Sequence, residues 1–315
     1  MTIKHLAFLS ILLTFFLIVF GGYVASSESG LGCGPEWPMC NGELVPVLKG
    51  ATLIEYLHRV IGALLGLITV LLFIKINRAK AGHTARFVNF TMLGLLTIQV
   101  LLGAVVVVRD LPSIIITIHL LIAMVFMACQ IWIWKSPELV GTSTPPLLYK
   151  KNHRWMIYNL NLLLVLLLLT LAFGAYIKHQ SYGVACGWLV CRNALFPTSI
   201  PELLQTIHRG LAVFSAGYIL LLTYWAFSKN WGTILKRLLA LGTFTVFLQL
   251  IIGVVVVVTT IDLPWAVLHL AVATALFAFI SNARVSAGNA MSVTEPPLHS
   301  KEKWQNGWSS RSSHD

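Results

Sequence analysis

The sequence predicts an all-α integral membrane protein whose eight transmembrane helices form two pseudo-twofold-related four-helix bundles. Of its 315 residues, 57% are hydrophobic and 10% are charged, whereas soluble domains carry roughly 25% charged residues. The apolar residues come in runs of about twenty, the length that crosses a hydrocarbon core of ~30 Å. Landmark residues of the first four runs recur in the last four. Lipid is therefore the expected solvent of most of the surface.

The net charge of +11 raises the alternative of nucleic-acid binding. Basic residues, however, gather in the cytoplasmic loops of membrane proteins. The sequence also contains no basic stripe with interleaved aromatic residues, a pattern that would favour nucleic-acid binding. We therefore expect the lipid bilayer, and no nucleic acid, as the partner of this charge.

The Lys and Arg residues between the apolar runs predict the orientation. Most of the 22 lie in the connections on one side and in the tail, and only Lys49, Arg109, Lys178 and Arg192 lie in the connections on the other side. Because positive residues favour the cytoplasmic side, both termini are predicted to be cytoplasmic. The predicted spans cover residues 6–24, 53–74, 87–108, 113–134, 156–177, 203–227, 237–258 and 264–282.

The first apolar run has an alternative interpretation as a cleaved signal peptide. Lys4 and His5 would form its positive region, and the small residues 25–27 its cleavage site. The apolar stretch 6–24 is longer than the usual signal core, which favours a retained helix. Either interpretation leaves the later loops on the same sides of the membrane.

An internal repeat divides the chain into two halves. The segment EYLHRVIGALLG from Glu55 aligns with QTIHRGLAVFSA from Gln205, and QVLLGAVVVV aligns with QLIIGVVVVV. A proline opens the next helix in both halves. Four landmark pairs are each separated by 150 residues: His58 and His208, Gln99 and Gln249, Gly103 and Gly253, and His119 and His269.

The repeat predicts the domain organisation. Because four spans separate equivalent positions, both halves run in the same direction and are related by an axis along the membrane normal. We expect an N-terminal half over 1–135, a cytoplasmic linker over 136–155, a C-terminal half over 156–283, and a disordered cytoplasmic tail over 284–315. Gly103 and Gly253 are expected to let neighbouring helices approach closely.

Four histidines are predicted at one depth, near the outer face of the membrane. His58 and His119 come from two helices of the first half, and His208 and His269 from the equivalent helices of the second. Two imidazoles on facing helices of a bundle can bind a haem iron from both sides. The alternatives are buried structural histidines and zinc, but no third or fourth ligand recurs with the pairs.

Two polar positions beside these histidines are open to more than one interpretation. Arg59 and Arg209 directly follow a histidine, and each can pair with porphyrin propionates or extend to the outer interface. Glu55 precedes His58 by one helical turn, and its counterpart is Gln205. A carboxylate can accept a proton and glutamine cannot, so the first half is predicted to be the reactive one. The alternative is that Glu55 only caps its helix.

Four of the five cysteines lie in the two large outer loops. Cysteine pairs in oxidising extracytoplasmic loops are typical of disulfides, so we predict the bonds Cys33–Cys40 and Cys186–Cys191. Each disulfide is expected to shape a lid over its half, and the alternative for the first pair is redox exchange with a thiol partner. Cys129, alone in a helix, is expected to pack as a small apolar residue.

Together these residues carry a family resemblance. The chain resembles bacterial haem A synthase, of the kind with a cysteine pair in an outer loop of each half. The resemblance extends from the first helix to about Ala283, and its most specific element is EYLHR at 55–59. The four repeated histidines and the two cysteine pairs also match.

The resemblance implies an oxidoreductase that converts the C8 methyl group of haem O to a formyl group, giving haem A for terminal oxidases. It implies a bacterial cell membrane, haem sites near the outer face, a membrane partner that makes haem O and an electron-transfer partner. The implied residue roles are haem O near His58 and His119, haem b held by His208 and His269, catalysis by Glu55, and a functional Cys33–Cys40 disulfide.

Two routes for this oxidation remain open, because an iron with histidines on both faces has no free position for oxygen. Either one ligand moves away, or the porphyrin loses electrons and water attacks, with Glu55 as base. The main rival function is a di-haem b-type cytochrome for quinol-linked electron transfer, which has no need of Glu55. A transporter would have helices broken near mid-membrane, and a prenyl transferase would have acidic metal-binding motifs. The sequence contains neither feature.

Overall fold

The computed structural model describes residues 1–79, 81–140, 153–187, 191 and 197–292. Within these ranges, eight helices are long and apolar enough to cross a membrane, which confirms the predicted eight-span helical fold. They are α1 (Ile3–Ser26), α2 (Gly50–Arg78), α3 (His83–Val108), α4 (Ser113–Lys135), α5 (His153–His179), α6 (Ile200–Ser228), α7 (Thr233–Val258) and α8 (Leu263–Ser292).

The last helix is longer than its apolar sequence predicts. It continues past Ala283 into polar sequence, because hydrogen bonds to the rest of the protein hold that extension. Arg284 Nε donates to Asn161 Oδ1 at 2.6 Å, and Asn289 Nδ2 donates to the carbonyl of Lys135 at 2.7 Å. The tail predicted from 284 therefore begins with helix, and its residues 293–315 lie outside the described part of the chain.

The connection between the halves is helical at both of its described ends. A short helical turn, Pro137–Val140, follows α4, and α5 begins at His153. The predicted linker over 136–155 is therefore shorter at its C-terminal end than its polar sequence suggests. Its residues 141–152 lie outside the described part of the chain.

Each half forms a ring of four helices. In the first half α1 packs against α2 and α4, and α3 packs between α2 and α4; in the second half α7 packs between α6 and α8, and α5 packs against both α6 and α8. The halves meet through α1 with α8, α4 with α5, and α4 with α8. These contacts map onto one another when the halves are exchanged, which is the pattern expected of a pseudo-twofold arrangement.

The core lies where the two rings meet. Met124 and Met127 of α4, Leu160 of α5 and Ile280 of α8 are completely buried there. The helices farthest from this interface instead present large apolar side chains outward. The exposed residues Phe87 and Phe90 of α3 and Phe244 and Ile251 of α7 would contact lipid.

Two loops connect helices at the predicted outer end: loop 1 (27–49), between α1 and α2, and loop 2 (180–199), between α5 and α6, of which the structure describes 180–187, 191 and 197–199. Gly32 of loop 1 lies directly on α2, since a Cβ at this position would be 2.3 Å from the carbonyl carbon of Ala51. Thr52 Oγ1 also donates to the carbonyl of Gly32 at 2.7 Å. This close approach requires glycine and holds loop 1 against the first turn of α2.

Candidate active site

The structure brings the four histidines together as two pairs, one in each half. His58 and His119 lie close enough for their rings to interact electrostatically, as do His208 and His269. Each is about six to eight residues into its helix, a depth of about 9–12 Å. All four are half-buried. Each half therefore presents two imidazoles at one level on helices α2 and α4, or α6 and α8.

Each histidine ring lies against a glycine of a neighbouring helix. A Cβ on Gly174 would lie 2.8 Å from Cε1 of His208, and one on Gly21 would lie 3.1 Å from Cε1 of His58. For the second histidine of each pair, a Cβ on Gly253 would lie 3.2 Å from Cε1 of His269, and one on Gly103 would lie 3.6 Å from Cε1 of His119. The two glycines of the repeat thus make room for histidine rings, and Gly21 and Gly174 do the same from α1 and α5.

The ring nitrogens differ in their hydrogen bonding. Nδ1 of His208 donates to the carbonyl of Thr170 at 3.0 Å, which orients the ring and leaves Nε2 as a lone-pair donor. Nε2 of His269 lies 3.1 Å from Nε2 of Gln249, so a metal bound there would displace this amide. Within the described residues, Nδ1 of His58, His119 and His269 is buried without a hydrogen-bond partner.

These features fit haem iron better than zinc. The glycines beside the rings let the four imidazoles pack against neighbouring helices, and the Thr170 carbonyl supplies His208 with the partner that metal-binding histidines usually have. No group of three or more His, Cys, Asp or Glu side chains suited to a metal ion occurs within the described part of the chain. A zinc site typically uses three or four protein ligands, whereas two histidines are sufficient to hold a haem iron from both sides.

Glu55 is bound to loop 1 rather than simply capping its helix. Its side chain is buried, with 4% of its surface exposed. Oε2 accepts a hydrogen bond from the backbone N–H of Cys33 at 2.8 Å, and Oε1 accepts from Nε of Arg59 at 3.1 Å. The carboxylate thus lies between α2 and the disulfide loop, and an ionised form is compensated by the guanidinium.

Gln205 occupies the equivalent place in the second half. Its Oε1 accepts from the backbone N–H of Cys186 at 2.8 Å, and its Nε2 donates to the carbonyl of Gly183. The amide therefore reproduces the bond that Glu55 makes to its loop, without the charge. The two halves differ here in chemistry and not in backbone arrangement.

Both arginines reach the outer loops. Arg59 Nη1 donates to the carbonyl of Met39 at 2.8 Å, and Arg209 Nη1 donates to the carbonyl of Gly187 at 2.8 Å. Met39 precedes Cys40, and Gly187 follows Cys186, so each guanidinium contacts the chain beside a cysteine. Each guanidinium thus lies at the outer end of its helix, and pairing with a porphyrin propionate stays a prediction.

The structure contains both predicted disulfides, Cys33–Cys40 and Cys186–Cys191. Cys33 and Cys40 are buried, with 0% and 2% of their surfaces exposed, and the N–H of Cys33 is the donor to Glu55. The first disulfide thus lies next to the carboxylate that the sequence singled out. Cys129 is the one free cysteine in the described part of the chain and is half-buried.

The turns that follow α3 and α7 are a repeated feature that the sequence did not reveal. Asp110 and Leu111, and likewise Thr260 and Ile261, have left-handed φ angles of 55–66°, which cost energy for residues other than glycine. This geometry packs Leu111 against Gly30 of loop 1 and Ile261 against Gly183 of loop 2. Each strained turn therefore supports the loop above its histidine pair.

Comparison with known proteins agrees with this geometry. The family model of COX15-CtaA, cytochrome oxidase assembly protein, matches residues 4–51 and 47–281. The chain belongs to the COX15-CtaA family. The match includes all eight spans, except the end of α8, and every residue of the two histidine pairs.

Relatives within the COX15-CtaA family carry a functional name. A protein of Bacillus cereus strain AH187 named heme A synthase is 28% identical over 318 residues, covering 93% of this chain and 98% of the relative. Heme A synthase of Bacillus anthracis strain CDC 684 / NRRL 3495 is 29% identical with the same coverage. That of Bacillus cereus strain G9842 is 29% identical over 296 residues, covering 88% of this chain and 91% of the relative.

Proposed function

We propose that this protein is a haem A synthase, which oxidises the C8 methyl group of haem O to a formyl group and so forms haem A. The near full-length similarity to proteins of that name supports this activity. The observation that carries the proposal is the difference between the equivalent residues Glu55 of the first half and Gln205 of the second. Both side chains bond to the first cysteine of their loop, but only the glutamate can accept a proton.

We assign haem O to the N-terminal half, 1–135, between His58 and His119. The carboxylate of Glu55 is in this half and is held between Arg59 and Cys33. Converting a methyl to a formyl group adds one oxygen and removes hydrogen as protons and electrons. The electrons would pass to the electron-transfer partner proposed below, and the protons need an acceptor, so a fixed carboxylate near the outer end of the histidine pair suits the reaction. Loop 1, closed by Cys33–Cys40, covers this end and would exclude water.

We assign haem b to the C-terminal half, 156–283, with His208 and His269 as its ligands. The bond from His208 to the Thr170 carbonyl supports this assignment, because such a bond orients a ligating imidazole. A bound haem supplies the redox chemistry that side chains cannot. Gln205 gives this half a neutral group where the first half has a carboxylate, which suits electron transfer without proton removal from a substrate.

The same asymmetry distinguishes the synthase from a di-haem b-type cytochrome. A carrier needs two similar haem sites and gains nothing from one buried carboxylate, whereas burying an ionisable group in a membrane protein is costly and usually functional. The shared name of the relatives also favours the synthase. We further propose a bacterial cell membrane with both termini cytoplasmic, a neighbouring enzyme that supplies haem O, and an electron-transfer partner.

A gain-of-function experiment tests the proposed activity. The full-length chain is produced in bacteria that make haem O but no haem A, and the haems of the membranes and of the purified protein are identified by chromatography and pyridine haemochrome spectra. We expect haem A in the membranes, and haem b with haem O or haem A in the purified protein. Membranes that contain only haem O and haem b, beside a correctly assembled protein, would refute the activity.

A further inference from the structure

One guanidinium joins the carboxylate of Glu55 to the disulfide loop. Arg59 uses Nε and Nη2 to bond Oε1 of Glu55, at 3.1 and 2.5 Å, and Nη1 to bond the carbonyl of Met39 at 2.8 Å. Only 17% of its side-chain surface is exposed. Three of its donors are therefore directed to the protein, to one helix residue and one loop residue.

We propose that Arg59 is a positioning residue, which acts by holding Glu55 and loop 1 in a fixed relationship for the reaction. This inference deepens the proposed function and rests on it. A glutamate side chain has several rotatable bonds, and here each of its two oxygens is held, Oε1 by Arg59 and Oε2 by the N–H of Cys33. Rigid placement of a proton acceptor is worth a large share of a rate, since a shift of about 1 Å can cost about a hundredfold.

The second half separates the two roles of the arginine. Arg209 makes the same bond to its loop, at the carbonyl of Gly187, but the residue one turn before it is Gln205 and not a carboxylate. Loop anchoring is thus common to both halves, whereas the bond from the arginine to a carboxylate one turn before it occurs in the first half, where position 55 is glutamate. Within the described residues, Glu55 with Arg59 is the one ion pair between side chains.

The competing role for Arg59 is direct binding of a haem propionate. The two roles predict different losses on substitution. A propionate ligand contributes to haem binding, so its removal should lower the amount of haem O retained by the protein. A positioning residue acts on the carboxylate, so its removal should lower product formation while haem O remains bound, and should loosen loop 1.

The experiment compares Arg59→Gln, Arg59→Lys and Arg209→Gln in the full-length protein, produced in the host that makes haem O. Haem A, haem O and haem b per protein are measured in each purified sample. The looseness of each loop is measured as the rate at which a water-soluble phosphine reduces its disulfide, followed by alkylation and mass spectrometry. The second loop is the internal control in every sample.

We expect Arg59→Gln to form about a hundredfold less haem A, to retain wild-type amounts of haem O and haem b, and to have a Cys33–Cys40 bond that is reduced faster. Arg59→Lys keeps the charge but not the paired Nε and Nη2 donors (the guanidinium fork). Its haem A formation should fall between that of Arg59→Gln and that of the wild type. Arg209→Gln should accelerate reduction of Cys186–Cys191 and leave the rate for Cys33–Cys40 unchanged.

Two results would overturn the proposal: a loss of bound haem O in proportion to the loss of haem A, or wild-type product formation in Arg59→Gln. If Arg59→Gln fails to accumulate in the membrane, Arg59→Lys decides, because wild-type haem A formation in that variant contradicts positioning by the fork. If the wild type itself forms no haem A, the proposed function fails separately, and the reduction rates still show whether Arg59 holds loop 1.

Discussion

The backbone N–H of Cys33 donates a hydrogen bond to Oε2 of Glu55 over 2.8 Å. The same bond, of the same length, joins Cys186 to Gln205 in the second half. Because the loop and the helix meet in the same way in both halves, the difference at this position is a carboxylate bonded to Arg59 in the first half and a neutral amide in the second. In the first half, a buried carboxylate therefore lies next to a disulfide.

The glycines beside the histidines predict a graded effect of adding a methyl group. In Gly174→Ala the new Cβ would lie 2.8 Å from Cε1 of His208, so the ring must move from its bond to Thr170. We expect the affinity for haem b to fall about tenfold or more, as when the support of a metal ligand is lost. Haem titration of the purified apoprotein measures this affinity.

Gly103→Ala is the matched control for this substitution. Its Cβ would lie 3.6 Å from Cε1 of His119, which is ordinary van der Waals contact. We expect haem contents within about twofold of the wild type, because a single surface or contact substitution without a clash rarely costs more than ~0.5 kcal/mol. Equal haem b loss in both variants would contradict the role of the close contact at Gly174.

Ligand substitutions should separate the two haem sites. In His208→Ala we expect loss of haem b with haem O still bound, because the first half keeps both of its histidines. In His58→Ala we expect the reverse, with loss of haem O and retention of haem b. Haem extraction and chromatography of each purified variant measure both contents. A variant of one half that empties both halves, in a protein that still accumulates in the membrane, would contradict two independent sites.

The burial of the sulfur atoms predicts an order of reduction for the two disulfides. Cys33 and Cys40 are almost fully buried, whereas Cys191 is only half-buried. Since reduction requires direct attack on a sulfur atom, Cys186–Cys191 should react first with a water-soluble thiol. Differential alkylation with mass spectrometry over time gives the order. Faster reduction of Cys33–Cys40 would favour the redox-active interpretation of that pair.

The helices were predictable because the signal for each is spread over about twenty residues. A run of apolar residues must be helical in lipid, where every backbone group needs an internal partner. The apolar run stops before the end of α8. The helix continues there through polar residues such as Asn289, whose side chain bonds to the end of α4. Helix ends held by single hydrogen bonds leave no such pattern in the sequence.

The repeat made the histidine pairs and the Glu55 position predictable, because equivalent residues stand 150 positions apart. The partners of those residues were harder to predict. Arg59 follows Glu55 by four residues, the spacing of neighbours on a helix face. This spacing is the sequence signal from which the ion pair between the two side chains could have been predicted. The bonds from loop 1 depend on the path of an irregular backbone, and Gly21 lies in α1, far from any motif that carries a histidine.

If Glu55 makes the first half catalytic, Glu55→Gln should abolish product formation while the haems stay bound. The control is Glu202→Gln, which changes another buried carboxylate, one that bonds to Thr198 near the start of α6. Both variants are produced in the host that makes haem O, and haem A, haem O and haem b per protein are measured.

We expect Glu55→Gln to form at least about a hundredfold less haem A, since general acid–base groups contribute about 10²–10⁴-fold. It should retain haem O and haem b, while Glu202→Gln keeps haem A formation within a few-fold of the wild type. Undiminished haem A in Glu55→Gln, at wild-type protein levels, would contradict the account.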